Sequence, residues 1–249
     1  MHPDYLFEKI ETLFNRSGFN IVRKVRANDY HRRFKHRDGL HEVLGNGKSI
    51  ILAGFAGNGF WDILRAFLRN NPDFEEARID WIDDYTRLIF KSAAEILDDG
   101  SVSYEMVFPF GKTALALDFM ELGRISGVGV HSLLGILLHP QYGPWISLRG
   151  SIITDLEFSA YDSPLENFAP CPLCSKPCIT ACPAKTISNH GWNWEACMDY
   201  RLSSETCETN CASRRACPYG KEHQYTGEQL AHHHKFVLKS LKQYRAKKI

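Results

Sequence analysis

All eight cysteines of this chain fall between Cys171 and Cys217, and none occurs in the first 170 residues. The run is Cys171-Pro-Leu-Cys174-Ser-Lys-Pro-Cys178-Ile-Thr-Ala-Cys182-Pro183, followed by Cys197, Cys207, Cys211 and Cys217-Pro218. Thiolates this dense read as metal ligands. Two Cys-Pro pairs, each closing a series, point to iron–sulfur clusters. A cubane takes four cysteine thiolates, and in two-cluster ferredoxins the cysteine before proline ligates the other cluster. Eight cysteines then suit two 4Fe–4S clusters with no thiol left over. A disulfide framework suits a short secreted chain, whereas this one is long and opens without a signal-peptide pattern. Two four-cysteine zinc sites would also use eight thiolates, but zinc ligands usually come as well-separated C-x₂₋₄-C knuckles. Here four cysteines sit within twelve residues and end in Cys-Pro. The spacing departs from the bacterial ferredoxin run. The second gap is three residues long with Pro177 inside it, and the series through Cys207, Cys211 and Cys217 is looser.

A chain of 249 residues allows one large domain or a domain with an appendage. Chains of this size bury roughly 70–75% of their unfolded surface, so metal is not needed merely to make a core. The formal net charge of +1 creates no global field favouring nucleic acid or membrane. No apolar run approaches the ~20 residues of a membrane helix. Arg32-Arg33-Phe34-Lys35 faintly resembles a twin-arginine signal, but no apolar stretch follows, so the pair reads as surface charge. Reduced thiols without an export signal imply a cytoplasmic protein.

Residues 4–16 carry apolar side chains at helical spacing and stop near Gly18. Phe19–Val25 reads as a strand, and the polar residues 27–47 as a long surface connection. Ser49–Phe55 is a continuous apolar run suited to a buried strand. Asn58 is placed to cap a helix carrying Trp61, Ile63, Leu64, Phe67 and Leu68. A second strong helix over 80–97 shows Ile82, Tyr85, Leu88, Ile89 and Ile96 on its apolar side. Val102–Phe108 returns as a strand, Thr113–Ser126 as a helix ending at Gly127, and Ile136–His139 and Trp145–Leu156 as strands. This alternation predicts an α/β layered domain over residues 1–160. Residues 161–222 form the cysteine module, entered through a Pro-containing linker, and residues 223–249 a basic helical tail.

Two glycine motifs are less informative. Gly45-Asn-Gly47-Lys48-Ser49 resembles the end of a phosphate-binding loop, but Glu42 replaces the required glycine and a strand follows. Gly54-Phe-Ala-Gly57-Asn-Gly59 reads as a tight strand-to-helix turn. His232-His233-His234 cannot all face one metal from a helix, so they read as a solvated face.

The stretch Gly127-Val-Gly129-Val-His131-Ser132 through His139-Pro140-Gln-Tyr142-Gly143-Pro-Trp145 to Thr154-Asp155-Leu156 is dense in Gly, His and aromatic residues. As plain structure it is two strands joined by a Pro/Gly turn, with Tyr142 and Trp145 in the core. With the cysteine run behind it, the stretch resembles epoxyqueuosine reductase and the catalytic part of reductive dehalogenases. Asp83–Leu97 is similar to a helix of that family, and the likeness spans about residues 45–220. The resemblance implies a nitroreductase-like α/β core with a C-terminal ferredoxin-like double-cluster module. By position, one cluster would take Cys171, Cys174, Cys178 and Cys217, and the other Cys182, Cys197, Cys207 and Cys211. Gly127, Gly129, His131 and Ser132 would lie against a cobalamin, with flavin the less expected cofactor. Electrons would pass through the clusters to the corrinoid from a donor such as flavodoxin or ferredoxin.

Two departures qualify the likeness. Epoxyqueuosine reductase has an acidic proton donor just ahead of the helix before the Gly-x-Gly turn. Counting back reaches Thr113, and the first carboxylate, Asp118, falls inside the helix expected there. The added helical-repeat region for tRNA is also missing after Cys217. Both points predict that tRNA is not a partner and that the substrate is an unidentified small molecule. Tyr104 and Lys112 are the remaining candidate proton donors. The expected function is an iron–sulfur, corrinoid-dependent reductase. The alternatives are an electron-transfer or corrinoid-handling protein without substrate chemistry, and a zinc-stabilised binding protein.

Overall fold

A computed structural model describes residues 2–33, 45–77, 80–110 and 117–247. The chain divides into two compact units, the first drawn from Met1–Gly129 with Ile146–Glu166, the second from Val130–Trp145 with Asn167–Ile249.

In the first unit the order is α1 (Pro3–Arg16), β1 (Ile21–Arg26), α2 (Ala27–Arg33), β2 (Ser49–Ala56), α3 (Gly59–Asn70), α4 (Pro72–Ala77), α5 (Trp81–Asp99), β3 (Tyr104–Val107) and α6 (Phe119–Ile125). After the excursion carrying β4 (Val130–His131) and β5 (Leu137–Leu138), the chain returns as β6 (Ile146–Thr154). The sheet order is β1-β2-β6-β3, and every pairing is antiparallel. Strand β2 is central and buried at every position, which explains its unbroken apolar run. Its register with β6 shifts between Ala53 and Gly54, where a Cβ on Gly54 would come within 2.5 Å of the Ser147 carbonyl oxygen.

Helix α1 starts with Pro3 in its first turn, where the missing N–H costs nothing. It buries Leu6, Phe7, Ile10, Leu13 and Phe14 and stops at Gly18, whose φ is +89°. Asp80 caps α5 by accepting from the Asp83 N–H at 3.2 Å. Aromatic rings join these helices to the sheet. Phe14 meets Phe90 at 4.9 Å between centroids, Phe19 meets Phe60 at 5.2 Å, and Phe60 stacks on Phe55 at 3.9 Å. Asp83 of α5 pairs with Arg149 of β6. Burial pushes the Asp83 carboxyl up and Arg149 opposes it.

Several expectations are corrected. The stretch 27–47 begins with a helix, α2, held by buried Ala27 and Tyr30. Of the expected helix over 113–126, residues 113–116 lie outside the described residues, and the remainder is the helix Phe119–Ile125 with Asp118 as its cap, accepting from the Glu121 N–H at 3.1 Å. Thr113 and Lys112 lie outside the described residues. Asn58 precedes α3 without a side-chain capping bond. Ile63 and Leu88 face solvent, whereas Phe60 and Phe90 carry the buried faces. Trp145 is buried, but Tyr142 is only half-buried.

The second unit holds the β4–β5 hairpin, a 3₁₀ turn at Cys171–Leu173, α7 (Pro177–Thr180), the hairpin β7 (Ile187–Ser188) and β8 (Gly191–Trp192), α8 (Trp194–Ser203), a 3₁₀ turn at Glu205–Cys207, α9 (Ala212–Ala216) and α10 (Gly227–Lys247). Among the described residues no helix is long and apolar enough to cross a membrane.

Phe60 joins three rings of the first unit's core. Phe60→Ala should therefore cost about 3–5 kcal/mol, the usual range for a buried aromatic truncation. Chemical denaturation checks this, and a loss within experimental error would contradict the packing described.

Candidate metal centre

The eight cysteines lie in the second unit, and all are free thiols. Cys171, Cys174, Cys178 and Cys217 line one small cavity, together with Leu134, Leu138 and Tyr219 among others. Cys178 and Cys217 belong to the unit's apolar cluster with Leu134, Leu138 and Ile187. Burial pushes the Cys217 thiol up, and the charges of Cys178, Cys171 and Cys174 push it further. Cys178 is raised by burial and then by Cys171 and Cys174. Cys207 is likewise raised by burial and then by Cys211, Cys197 and Cys182, while Arg201 opposes. The thiols thus interact as two sets of four. Cys182 falls with the later cysteines although Cys178 is its near neighbour in sequence. Burial acts on Cys182 too, but hydrogen bonds from Thr186 and Ser213 outweigh it and lower its pKa. Its sulfur lies 3.4 Å from the Thr186 hydroxyl.

Among the described residues no three His, Cys, Asp or Glu side chains are close enough together to share one metal ion. In a cubane each thiolate binds its own iron, so four ligands surround a volume rather than a point. Two buried polar atoms beside the second set, Arg201 Nε and Asn210 Oδ1, have no hydrogen-bond partner among the described residues. Four thiols around one cavity, whose ionised forms would repel one another, and orphan polar atoms beside the other set, fit two polynuclear centres.

Glycine lets the chain bring Cys217 back to the earlier cysteines. His139 and Gly143 bridge across the Pro140 turn, with reciprocal N–H···O bonds of 2.9 Å. A Cβ on Gly143 would lie 2.1 Å from the Tyr219 carbonyl oxygen, and one on Gly220 would lie 2.3 Å from the Tyr142 carbonyl group. Both glycines have positive φ, +56° and +64°. Two backbones therefore touch directly beside Cys217. Arg214 strengthens the same corner. Its guanidinium donates to the Pro144 carbonyl and lies 4.6 Å from the Trp145 ring centroid and 4.9 Å from that of Tyr225.

The four residues expected to face a cofactor have diverse surroundings. Gly127, with φ +70°, ends α6 in a Schellman motif. Its N–H bonds Arg124 O, and the Val128 N–H bonds Gly123 O at 2.8 Å. A Cβ on Gly127 would also lie 2.4 Å from the Ser163 carbonyl oxygen. Gly129 is buried, and His131 is exposed on β4. The Ser132 hydroxyl closes the β4–β5 turn by donating to Ile136 O at 2.6 Å. Gly127 and Ser132 are thus accounted for by the fold itself. Tyr104 lies on β3 and donates to Asp98 at 3.2 Å, and burial followed by Asp98 raises its pKa. Lys112 lies outside the described residues.

Sequence patterning misses His234. The triplet is not a solvated face, because His234 is only 8% exposed. Its Nδ1 lies 3.1 Å from Arg201 Nη2 and 3.2 Å from the Cys207 carbonyl oxygen. Burial, with Arg201 adding to it, pulls its pKa down to about 4.

Two predictions follow from these environments. Gly127→Ala should destabilise the protein by about 1–2 kcal/mol or more, the cost of a left-handed non-glycine residue, with or without a ligand. A stability change seen only when ligand is added would contradict this. For His234 the folded pKa lies below the unfolded value, so the unfolded state takes up the proton first. Its contribution is present above about pH 6.5 and is lost as pH falls toward about 4. Melting temperatures of native protein and His234→Gln should converge over that window, and divergence would reverse the assignment.

No protein-family model matches the chain, and no curated protein matches its sequence. Solved structures do match. An epoxyqueuosine reductase with an epoxyqueuosine-modified tRNA stem loop aligns with TM-score 0.63 at 15% identity, over 93% of this chain and 69% of its own. A B12-trafficking protein, CblC, from C. elegans aligns with TM-score 0.59 at 10% identity, over 96% of this chain and 95% of its own. A reductive dehalogenase described as B12-dependent aligns with TM-score 0.59 at 16% identity, over 90% of this chain but 33% of its own. The first of these overturns the expectation that tRNA is not a partner, since the fold common to both chains occurs with a tRNA stem loop. One ground for that expectation also falls, because Asp118 stands ahead of α6 rather than inside it. The chain has the mixed α/β fold of epoxyqueuosine reductases and reductive dehalogenases, as the sequence resemblance implied.

Proposed function

We propose that the protein is an iron–sulfur reductase carrying two 4Fe–4S clusters, one on Cys171, Cys174, Cys178 and Cys217 and one on Cys182, Cys197, Cys207 and Cys211. The observation that carries this reading is the cavity lined by Cys171, Cys174, Cys178 and Cys217 without the neighbouring Cys182, so that the thiols sort into two sets that cross in sequence. Such crossing is the two-cluster ferredoxin arrangement, and both Cys-Pro cysteines take part in it. The second unit is thereby a ferredoxin-like double-cluster module.

A corrinoid is the proposed second cofactor. Likeness to a B12-trafficking protein and to a B12-dependent dehalogenase supports it. When bound, a corrinoid supplies a strongly reducing cobalt centre. The chain's own residues would exclude water, deliver electrons and supply a proton. Asp118 becomes the proposed proton donor, because it precedes the helix before the Gly-x-Gly turn, where the resembled family places its acid. The CblC likeness, which spans nearly the whole of both chains, favours corrinoid handling without substrate chemistry as a second reading. A modified tRNA stem loop belongs among the substrates to test.

Three outcomes are expected. Cys178→Ala and Cys182→Ala, neighbours in sequence, should abolish different paramagnetic signals in the reduced protein, whereas loss of one common signal would contradict the crossed assignment. Calorimetric titration should show cobalamin binding, and Gly129→Val should weaken it while leaving iron content unchanged. Flavin binding in place of cobalamin would reject the corrinoid. Finally, Asn caps a helix as well as Asp does. Asp118→Asn should therefore keep native stability while lowering turnover about 10²–10⁴-fold, the usual range for a lost general acid. Unchanged turnover would remove Asp118 from the chemistry.

A further inference from the structure

The basic tail has a definite place beside the second set of cysteines. Lys235, Lys239 and Lys242 recur at helical spacing along α10 and are exposed. They line a groove whose other wall includes Glu208 and Thr209, with Leu238, 9% exposed, among its lining residues. Glu208 follows Cys207 directly in the chain. One helical turn before Leu238, His234 contacts the Cys207 carbonyl. The lysine face is thus tied through its own helix to the ligand loop of the second cysteine set. Among the described residues Lys239 and Lys242 make no ion pair.

The two cysteine sets differ in depth. In the first set Cys178 and Cys217 are buried and Cys171 and Cys174 half-buried, whereas in the second set Cys182, Cys197, Cys207 and Cys211 are all half-buried. The second set is the one nearer solvent, and electrons entering from another protein would reach it first.

We propose that the groove along Lys235, Lys239 and Lys242 is the docking surface for an acidic one-electron carrier protein that reduces the second cysteine set's cluster. The proposal rests on the two-cluster reading above. Positive charge beside the accessible set would steer an acidic carrier and raise its encounter rate. The step is balanced. One electron leaves the reduced carrier, which is oxidised by one, and the cluster takes it up, with no atom transferred. RNA is the other polyanion such charge attracts. Glu208 in the wall and the apolar Leu238 fit a protein surface better than a phosphate backbone.

The test uses full-length protein reconstituted anaerobically, assayed first for iron and sulfide, with a strongly acidic flavodoxin as the probe. Lys235→Glu/Lys239→Glu/Lys242→Glu should weaken flavodoxin binding by about tenfold or more at low salt, the scale of electrostatic steering. It should slow reduction by flavodoxin equally, leaving reduction by dithionite unchanged. Lys91→Glu in the first unit should change none of these. Unchanged flavodoxin affinity, or an equal loss with dithionite, overturns the proposal. So does loss of tRNA stem-loop binding with flavodoxin binding intact. If the triple reversal misfolds, the three Lys→Gln changes should show the same selective loss in smaller degree. Absence of iron and sulfide would reject the cluster reading, while lysine-dependent flavodoxin affinity in that sample would still uphold the docking surface.

Discussion

Four thiolates cannot share a buried site without positive charge among them. Burial raises the cost of ionising each thiol, and every neighbouring thiolate adds to it. Cys178, Cys207 and Cys217 all carry this double penalty. Among the described residues little relief is offered, Arg201 beside Cys207 being a cation that opposes the shift. Bound iron would resolve the conflict, because a metal takes the thiolate form and removes the repulsion. The apolar cluster of the second unit includes Cys178 and Cys217 among its buried members. Its packing and the proposed metal chemistry would therefore depend on the same atoms.

The backbone around Cys217 follows from that dependence. Thiols from residues 171–178 and from residue 217 can meet only if the chain returns closely. The contact between Gly143 and Gly220 permits it, since any side chain there would collide with backbone. Arg214, on the helix between Cys211 and Cys217, holds the corner through the Pro144 carbonyl and the rings of Trp145 and Tyr225. The Pro/Gly turn that looked like a simple strand connection is the wall against which the last cysteine is set. On this account the first unit would supply the cofactor-binding fold and the second the route for electrons.

Much of this was legible in the residues. The proposed thiol grouping rests on Cys-Pro endings, which are local signals tied to a known ligand geometry. Strand β2 carries an unbroken apolar run and helices α1 and α5 a strong apolar periodicity, and they stand where those patterns place them. Helix α2 was missed because only Ala27 and Tyr30 anchor it, too few apolar positions to show a period. The extent of α6 was overdrawn because Asp118 looked like an ordinary helical residue, and its capping role depends on the Glu121 N–H. His234 was misread for a related reason. Three adjacent histidines look solvated, and only the approach of Arg201 and the Cys207 loop buries the third. The partnership of residues 130–145 with the cysteines was hidden by distance along the chain, since Gly143 meets a segment more than seventy positions later. Asp118 as a cap and the occurrence of the same fold with a tRNA stem loop in a solved structure together weaken the grounds on which tRNA was set aside.

The central claim is that the eight thiols hold two iron–sulfur cubanes. Native mass spectrometry of anaerobically prepared protein tests it most directly. The account predicts a single dominant species, the chain plus two Fe₄S₄ units. A chain carrying two zinc ions, or one lighter only by the hydrogens lost to disulfides, would contradict it.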